Sequence, residues 1–207
     1  DLADYRQALR RIKFEELFYF QMQLQTLKSE NMVHGSGLVI NWSREKLEKA
    51  RGDLPFALTP AQEKSLQEIL TDMNSDRHMN RLLQGDVGSG KTVVAGLARY
   101  AAGTAGYQAA LMVPTEILAE QHFESLQELF PDLRLALLTG SLKVGEKRQV
   151  LEKIGKGEID FIIGTHALIQ DGVDYARLGL IIIDEQHLFG VGNRGILREK
   201  GENPDVL

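Results

Sequence analysis

The octapeptide GDVGSGKT at 85–92 constrains the fold of this chain more than any other stretch. Its three glycines let successive backbone N–H groups turn inward on one point without interference from a Cβ. An apolar run, RLLQ (81–84), precedes it, and TVVAGLARYAA follows with the composition of a helix. Strand, glycine turn and helix N-terminus in that order make an anion site, because unpaired amides and the positive end of the helix dipole meet there. G-x-x-x-x-G-K-[ST] is matched at every defined position. The loop Gly85, Asp86, Val87, Gly88, Ser89 and Gly90 is therefore expected to wrap the phosphates of a nucleotide. Lys91 would reach the β- and γ-phosphates, and the Thr92 hydroxyl would ligate Mg²⁺.

Around this loop the sequence alternates between two patterns. Short apolar runs at 81–84, 108–113, 134–139, 160–165 and 178–184 read as strands, and PDVL at the C-terminus begins another. Amphipathic stretches near 91–104, 116–129 and 145–155 read as helices. Thr59 followed by Pro60 predicts a further helix to about Asn74, and Ser43 a short one through Ala50. Apolar strands alternating with helices predict an α/β domain with a mostly parallel sheet covered on both faces. Ligands of such sheets bind beyond the carboxyl ends of the strands.

The N-terminal part is different. Over residues 2–30, Leu2, Tyr5, Leu9, Ile12, Leu17, Phe20, Leu24 and Leu27 recur at helical spacing, with Phe14, Phe18 and Tyr19 widening the apolar face. A helical arm that packs within the chain is expected, since no heptad persists for four repeats. RGDLPFALTP (51–60) reads as a linker, giving an arm over 1–53 and an α/β domain over 54–207.

The strand LGLIIID ends in Asp184 and Glu185, followed by Gln186 and His187. A phosphate loop needs an acid on a neighbouring strand, and Asp184 is expected to hold Mg²⁺ directly or through water. Glu185 is then positioned to orient and deprotonate an attacking water. The five histidines fall in no recognised metal-ligand spacing, so a structural zinc site is not expected. Gln186 and His187 fit better as hydrogen-bonding groups that sense the nucleotide.

Composition narrows the field less. The 207 residues contain no cysteine, which removes disulfides and thiol catalysis. No run nears the length of a membrane span, and the first residues lack the order of a signal peptide, so a cytoplasmic protein is expected. Net charge is −5, and nine Lys/Arg against eight Asp/Glu lie in 1–53, so the acidic excess belongs to the rest. That balance does not advertise a nucleic-acid binder, although a local patch is all that binding requires.

Taken in order, LTPAQ (58–62), GDVGSGKT, VPTEILAEQH (113–122), LLTGS (137–141), IIGTHALIQ (162–170) and LIIIDEQHLFGV (181–191) resemble the motifs of superfamily 2 helicases, and most closely those of the RecG-type ATP-dependent DNA translocases. KFEELFYFQMQL (13–24) is similar to the arm that joins the junction-binding wedge of that family to its motor. The resemblance implies a RecA-like three-layer lobe that uses ATP and Mg²⁺, with Lys91, Asp184 and Glu185 as the hydrolytic set. It implies that Gln62 reads the adenine edge and that Phe56 packs on the base. It assigns Pro114, Thr115, Thr139, Gly140, Thr165 and His166 to the DNA backbone, contacts that carry no sequence information. The implied partners are forked or branched DNA, a second RecA-like lobe and the wedge.

Ser89 and Gln186 separate the chain from transcription–repair coupling translocases, which typically read GDVGFGKT and DEEH; that family is the alternative. A nucleotide-dependent interaction module without catalysis is a third reading, against which Lys91, Thr92, Asp184 and Glu185 are all intact. Two departures from the RecG pattern stand out. Leu188 occupies the position where the family has arginine after DEQH, and the chain stops before the family's Thr-Ala-Thr motif. The arginine finger of the second lobe is worth about 10³–10⁵ in rate. These residues alone are therefore expected to bind nucleotide with little turnover.

Overall fold

In the computed structural model the described residues are 2–34, 37–86, 88–185 and 191–207. Val87, Gln186, His187 and Leu188, to which the sequence assigned phosphate-binding or sensing roles or a departure from the family, lie outside them. The chain divides into two compact units, Asp1–Gly35 and Ser36–Leu207.

The first unit is one helix, α1 (Leu2–His34). Phe14 and Phe18 stack with ring centroids 5.9 Å apart, and Arg11 pairs with Glu15 one turn on. Its large apolar side chains, among them Tyr5, Phe14, Leu17 and Tyr19, are exposed. Apolar residues at 14, 17, 18, 19 and 20 point to every side of a helix, so no single stripe exists for one surface to cover.

The second unit begins earlier than the 53/54 boundary read from composition, because Ile40, Leu47 and Leu54 are buried in its core. Trp42 adds a hydrogen bond from Nε1 to the carbonyl of Leu70. Ser43 caps α2 (Arg44–Gly52) by accepting from Lys46 N–H. A full capping box, Thr59 with Gln62, starts α3 (Pro60–Met73). There follow α4 (Lys91–Thr104), β1 (Gln108–Met112), α5 (Glu116–Leu129), β2 (Leu135–Leu138), α6 (Val144–Gly155), β3 (Phe161–Gly164), a 3₁₀ turn (His166–Ile169), β4 (Leu178–Ile183), α7 (Val191–Glu199) and β5 (Asp205–Val206).

All the strand pairs are parallel, in the order β2-β3-β1-β4-β5. Side chains alternate between the two faces of the sheet. Ala109, Leu111, Ile163, Leu180 and Ile182 meet Leu66, Val94, Leu97 and Leu126 from α3, α4 and α5. Ala110, Met112, Ile162 and Ile181 face the opposite way, toward Ile154 of α6, Leu168 of the 3₁₀ turn and Leu197 of α7. The result is three layers, helix on sheet on helix. Buried Gln108 is fully used at the start of β1, donating to the carbonyls of Ile154 and Ile159 and accepting from Arg177 N–H.

One expected strand is displaced. RLLQ (81–84) forms no ladder; pairing falls earlier, where Asn80 bridges Val206 and Arg81 N–H donates to the Val206 carbonyl. A strand exists where a neighbour accepts its hydrogen bonds, and β5 offers only two residues. Because every strand runs the same way, the carboxyl ends gather on one edge, and the residues singled out by the motifs follow them.

Candidate nucleotide site and nucleic-acid edge

The glycine loop enters α4 through Gly90, which serves as N-cap at φ 79° and offers no side-chain cap. Gly88 also takes a positive φ, 78°. Both conformations are costly for a residue with a Cβ, and a Cβ on Gly90 would stand 2.3 Å from Gln62 Nε2. Ser89 N–H donates to the Asp86 carbonyl, which closes the turn. The amides at the start of α4 are thus left to an anion rather than to a capping side chain.

Lys91 folds over this loop and donates from Nζ to the carbonyls of Gly85 (2.8 Å) and Asp86 (3.0 Å). Gln62 reaches the loop from α3. Its Oε1 accepts from Thr59 N–H and its Nε2 donates to the Ser89 carbonyl, both at 2.8 Å. The residue implied to read adenine also ties the helix cap to the phosphate loop. Phe56 is exposed, as a stacking surface must be.

Asp184 stands at the end of β4, its N–H donating to the Met112 carbonyl of β1. One carboxylate oxygen, Oδ1, accepts from Glu185 N–H at 3.0 Å; the other, Oδ2, lies 3.0 Å from His122 Nε2. The His122 hydrogen bond leads the effects that hold this carboxyl below its usual range, against partial burial, with the Glu185 amide and the charge of Lys91 adding to it. Lys91 and Asp184 therefore feel each other across one site. Glu185 is exposed with φ 54°, a left-handed conformation that a non-glycine residue adopts at a cost of about 1–3 kcal/mol.

The donor set suits Mg²⁺ bound with a nucleotide. Among the described residues no three His, Cys, Asp or Glu side chains converge into a self-sufficient metal site. One low-pKa carboxylate beside a phosphate loop matches a hard cation that takes most of its ligands from phosphate and water.

The residues implied to contact DNA follow the neighbouring strands. Pro114 and Thr115 follow β1, Thr139 and Gly140 follow β2, and Thr165 and His166 follow β3. Thr139 and Thr165 are only 2% and 8% exposed, and the Thr139 hydroxyl bonds that of Ser141. Thr115, Gly140, Ser141 and His166 are on the surface or partly so. Thr115 caps α5 by accepting from Leu118 N–H, and Glu116 Oε1 accepts from Ser141 N–H. Sequence reading assigned nothing to Glu116 or His122. Their partners lie 25 and 62 residues away, a distance that only strand order bridges.

A parallel sheet between helical layers, with a glycine loop and an acid at its carboxyl edge, defines a RecA-like P-loop nucleotide-binding lobe. The DEAD/DEAH box helicase family model matches residues 59–200, and the chain belongs to that family. It is 83% identical over 206 residues to the ATP-dependent DNA helicase RecG of Streptococcus pneumoniae, covering the whole of this chain and 31% of that protein. The Bacillus subtilis RecG is 52% identical over 97% of this chain and 30% of its own length. This chain therefore spans less than a third of those relatives. Among solved structures, RecG bound to a three-way DNA junction superposes with a TM-score of 0.81 at 47% identity, over 93% of this chain and 26% of that one. A hypothetical ATP-dependent RNA helicase from Sulfolobus tokodaii shares the fold, with a TM-score of 0.62 at 19% identity over 79% of this chain and 49% of its own.

Proposed function

We propose that this chain is the ATP-binding first motor lobe of a RecG-type DNA translocase that remodels stalled forks and four-way junctions. The observation that carries the reading is the shared edge. Lys91, Asp184 and Glu185 gather at the carboxyl ends of the strands, and so do Thr115, Gly140, Ser141 and His166. A single lobe thus offers both a nucleotide site and exposed groups suited to a phosphate backbone. The names of the relatives, and the junction held in the solved RecG structure, support DNA as the track.

The loop amides of residues 88 and 90–92 would bind phosphate oxygens, and Lys91 would exchange its two carbonyl partners for the β- and γ-phosphates. Thr92 and Asp184 would hold Mg²⁺, which supplies charge neutralisation at the phosphates when bound. Glu185 would orient water and accept its proton. Gln62, by linking the Ser89 carbonyl to a helix cap, would fix the loop while its remaining N–H and lone pair meet the base. A second lobe would bring the arginine that stabilises the transferring phosphoryl group, and a wedge would split strands at the branch. The work would be done on DNA in the cytoplasm.

The test is ATP hydrolysis by the full-length protein with forked, duplex and single-stranded DNA. Strong stimulation by forks is expected, with Glu185→Gln binding ATP but not turning it over. Equal rates with and without every DNA would overturn the translocase reading.

A further inference from the structure

α5 touches both functional regions of the lobe. At its first turn, Glu116 accepts from Ser141 N–H at 3.1 Å, which ties the loop after β1 to the loop after β2. Six residues on, about 9 Å along the axis, His122 meets Asp184. An ionised carboxylate has no proton to give, so the imidazole Nε2 is the donor. The contact is sheltered: His122 is 16% exposed at its side chain. Together with the Glu185 amide on Oδ1, it fixes the plane of the carboxylate. Between the two contacts α5 is anchored on the core by buried Ala119, with Leu126 doing the same beyond His122. A helix is stiff over so short a span, so a displacement at one contact is felt at the other.

We propose that His122 is a positioning residue: its Nε2–H holds Asp184 in the orientation the nucleotide site uses and, through α5, links that carboxylate to the loops of Thr115, Glu116 and Ser141. This rests on the reading of the lobe as a nucleotide-driven DNA motor. The linkage works in both directions. A shift of Asp184 when the nucleotide site fills pulls on His122 and so on Glu116. A DNA phosphate that takes Ser141 N–H displaces the Glu116 carboxylate, because both are anions competing for one donor. Coupling of this kind requires an element with two arrangements that both sites bias, and the Glu116–Ser141 contact, made or released, supplies it.

The experiment uses the full-length protein with His122→Ala, His122→Gln and His122→Asn. Gln carries an N–H donor near the position of imidazole Nε2, whereas Asn matches only Nδ1. Affinity for a fluorescent ATP analogue is measured with Mg²⁺ and with EDTA. Duplex DNA affinity is measured with and without a non-hydrolysable analogue at saturation. His122→Ala is expected to lose about 10–100-fold of the Mg²⁺-dependent affinity and keep the EDTA value within about twofold, as for other groups that orient a metal ligand. It should also bring the nucleotide-induced change in DNA affinity close to one. Gln should recover most of both effects and Asn little. Wild-type values for Ala would overturn the proposal, as would equal loss with and without Mg²⁺. Should Ala not fold, equal behaviour of Gln and Asn overturns it. Lys91→Ala is run alongside: if it binds nucleotide like the wild type, the site reading itself fails, whereas a weak Lys91→Ala with a normal His122→Ala removes only the role of His122.

Discussion

Lys91 Nζ donates to the carbonyl of Gly85, the first residue of its own loop, at 2.8 Å. With Asp86 as second acceptor, the ammonium ties the two residues that open the loop. The lysine is thus already aimed at the cradle and has only to exchange acceptors. The ammonium donates in both cases, but a phosphate oxygen adds a full opposite charge that a carbonyl lacks, so the exchange favours ligand. Lys91→Ala is expected to weaken ATP binding at least about tenfold and to change folding stability by no more than about 1 kcal/mol. Calorimetric titration and thermal unfolding of the same protein check both halves.

Gln62 makes a separable prediction, since its two amide atoms do different things. Oε1 completes the capping box of α3, and Nε2 holds the Ser89 carbonyl. Glutamate also serves a capping box but cannot donate. Gln62→Glu should leave the melting temperature unchanged while weakening adenine nucleotide binding and its preference over guanine. Gln62→Ala should weaken binding likewise and also lower the melting temperature, through a loss of about 1 kcal/mol from the cap. Equal melting of the two variants would remove the capping role.

Much of this was legible in the sequence, and the boundary of legibility is physical. The strands at 108–113, 134–139, 160–165 and 178–184 came out as β1 to β4 because each is an apolar run, buried on both faces in β1, β3 and β4 and on one face in the edge strand β2. Thr59, Ser43 and the glycine loop were readable because caps and tight turns are local chemistry. RLLQ was misread as a strand because pairing with β5, not apolarity, decides, and it falls at Asn80. α7 was missed because its start, VGNRG, is too rich in glycine to look helical. The contacts of His122 and Glu116 were beyond reach, since β2-β3-β1-β4 order, absent from any local pattern, is what brings their partners close.

Arg99 is a stability prediction. Its guanidinium is 1% exposed, lies 4.9 Å above the Phe161 ring, and none of its nitrogens has a hydrogen-bond partner among the described residues. Burial pulls its pKa down to about 9, still above neutrality, so the charge is carried into the core. Desolvating a charge without hydrogen-bond partners is costly, and an apolar side chain of similar length avoids that cost. Arg99→Met should raise the thermal midpoint without altering nucleotide affinity. A lower midpoint would mean that the Phe161 ring and the charge of Asp160 outweigh the cost of desolvating the guanidinium.

Asp205 gives the lobe a pH dependence whose sign is opposite to that of a paired carboxylate. Fully buried, it accepts Met79 N–H on Oδ1 while Oδ2 has no partner among the described residues. Burial, opposed by the Met79 amide and reinforced by Asp72, pushes its pKa up to about 7. An unfolded aspartate gives up its proton near pH 4. Between about pH 4 and 7 the folded chain therefore binds more protons than the unfolded one, and stability falls as pH rises through that window. Above about 7 both states are ionised and the fall stops. Asp205→Asn keeps the acceptor for Met79 and never ionises. Its midpoint should exceed that of the wild type by an amount that grows from pH 5 to 7 and levels off near pH 8, at roughly 10 °C for a domain of this size. The gain bears on the nucleotide site as well, because Met79 begins the segment that runs into the glycine loop. A gap that stayed constant across the whole range would mean that Asp205 ionises at its ordinary pKa, and that the contact with Met79 is held by a charged carboxylate.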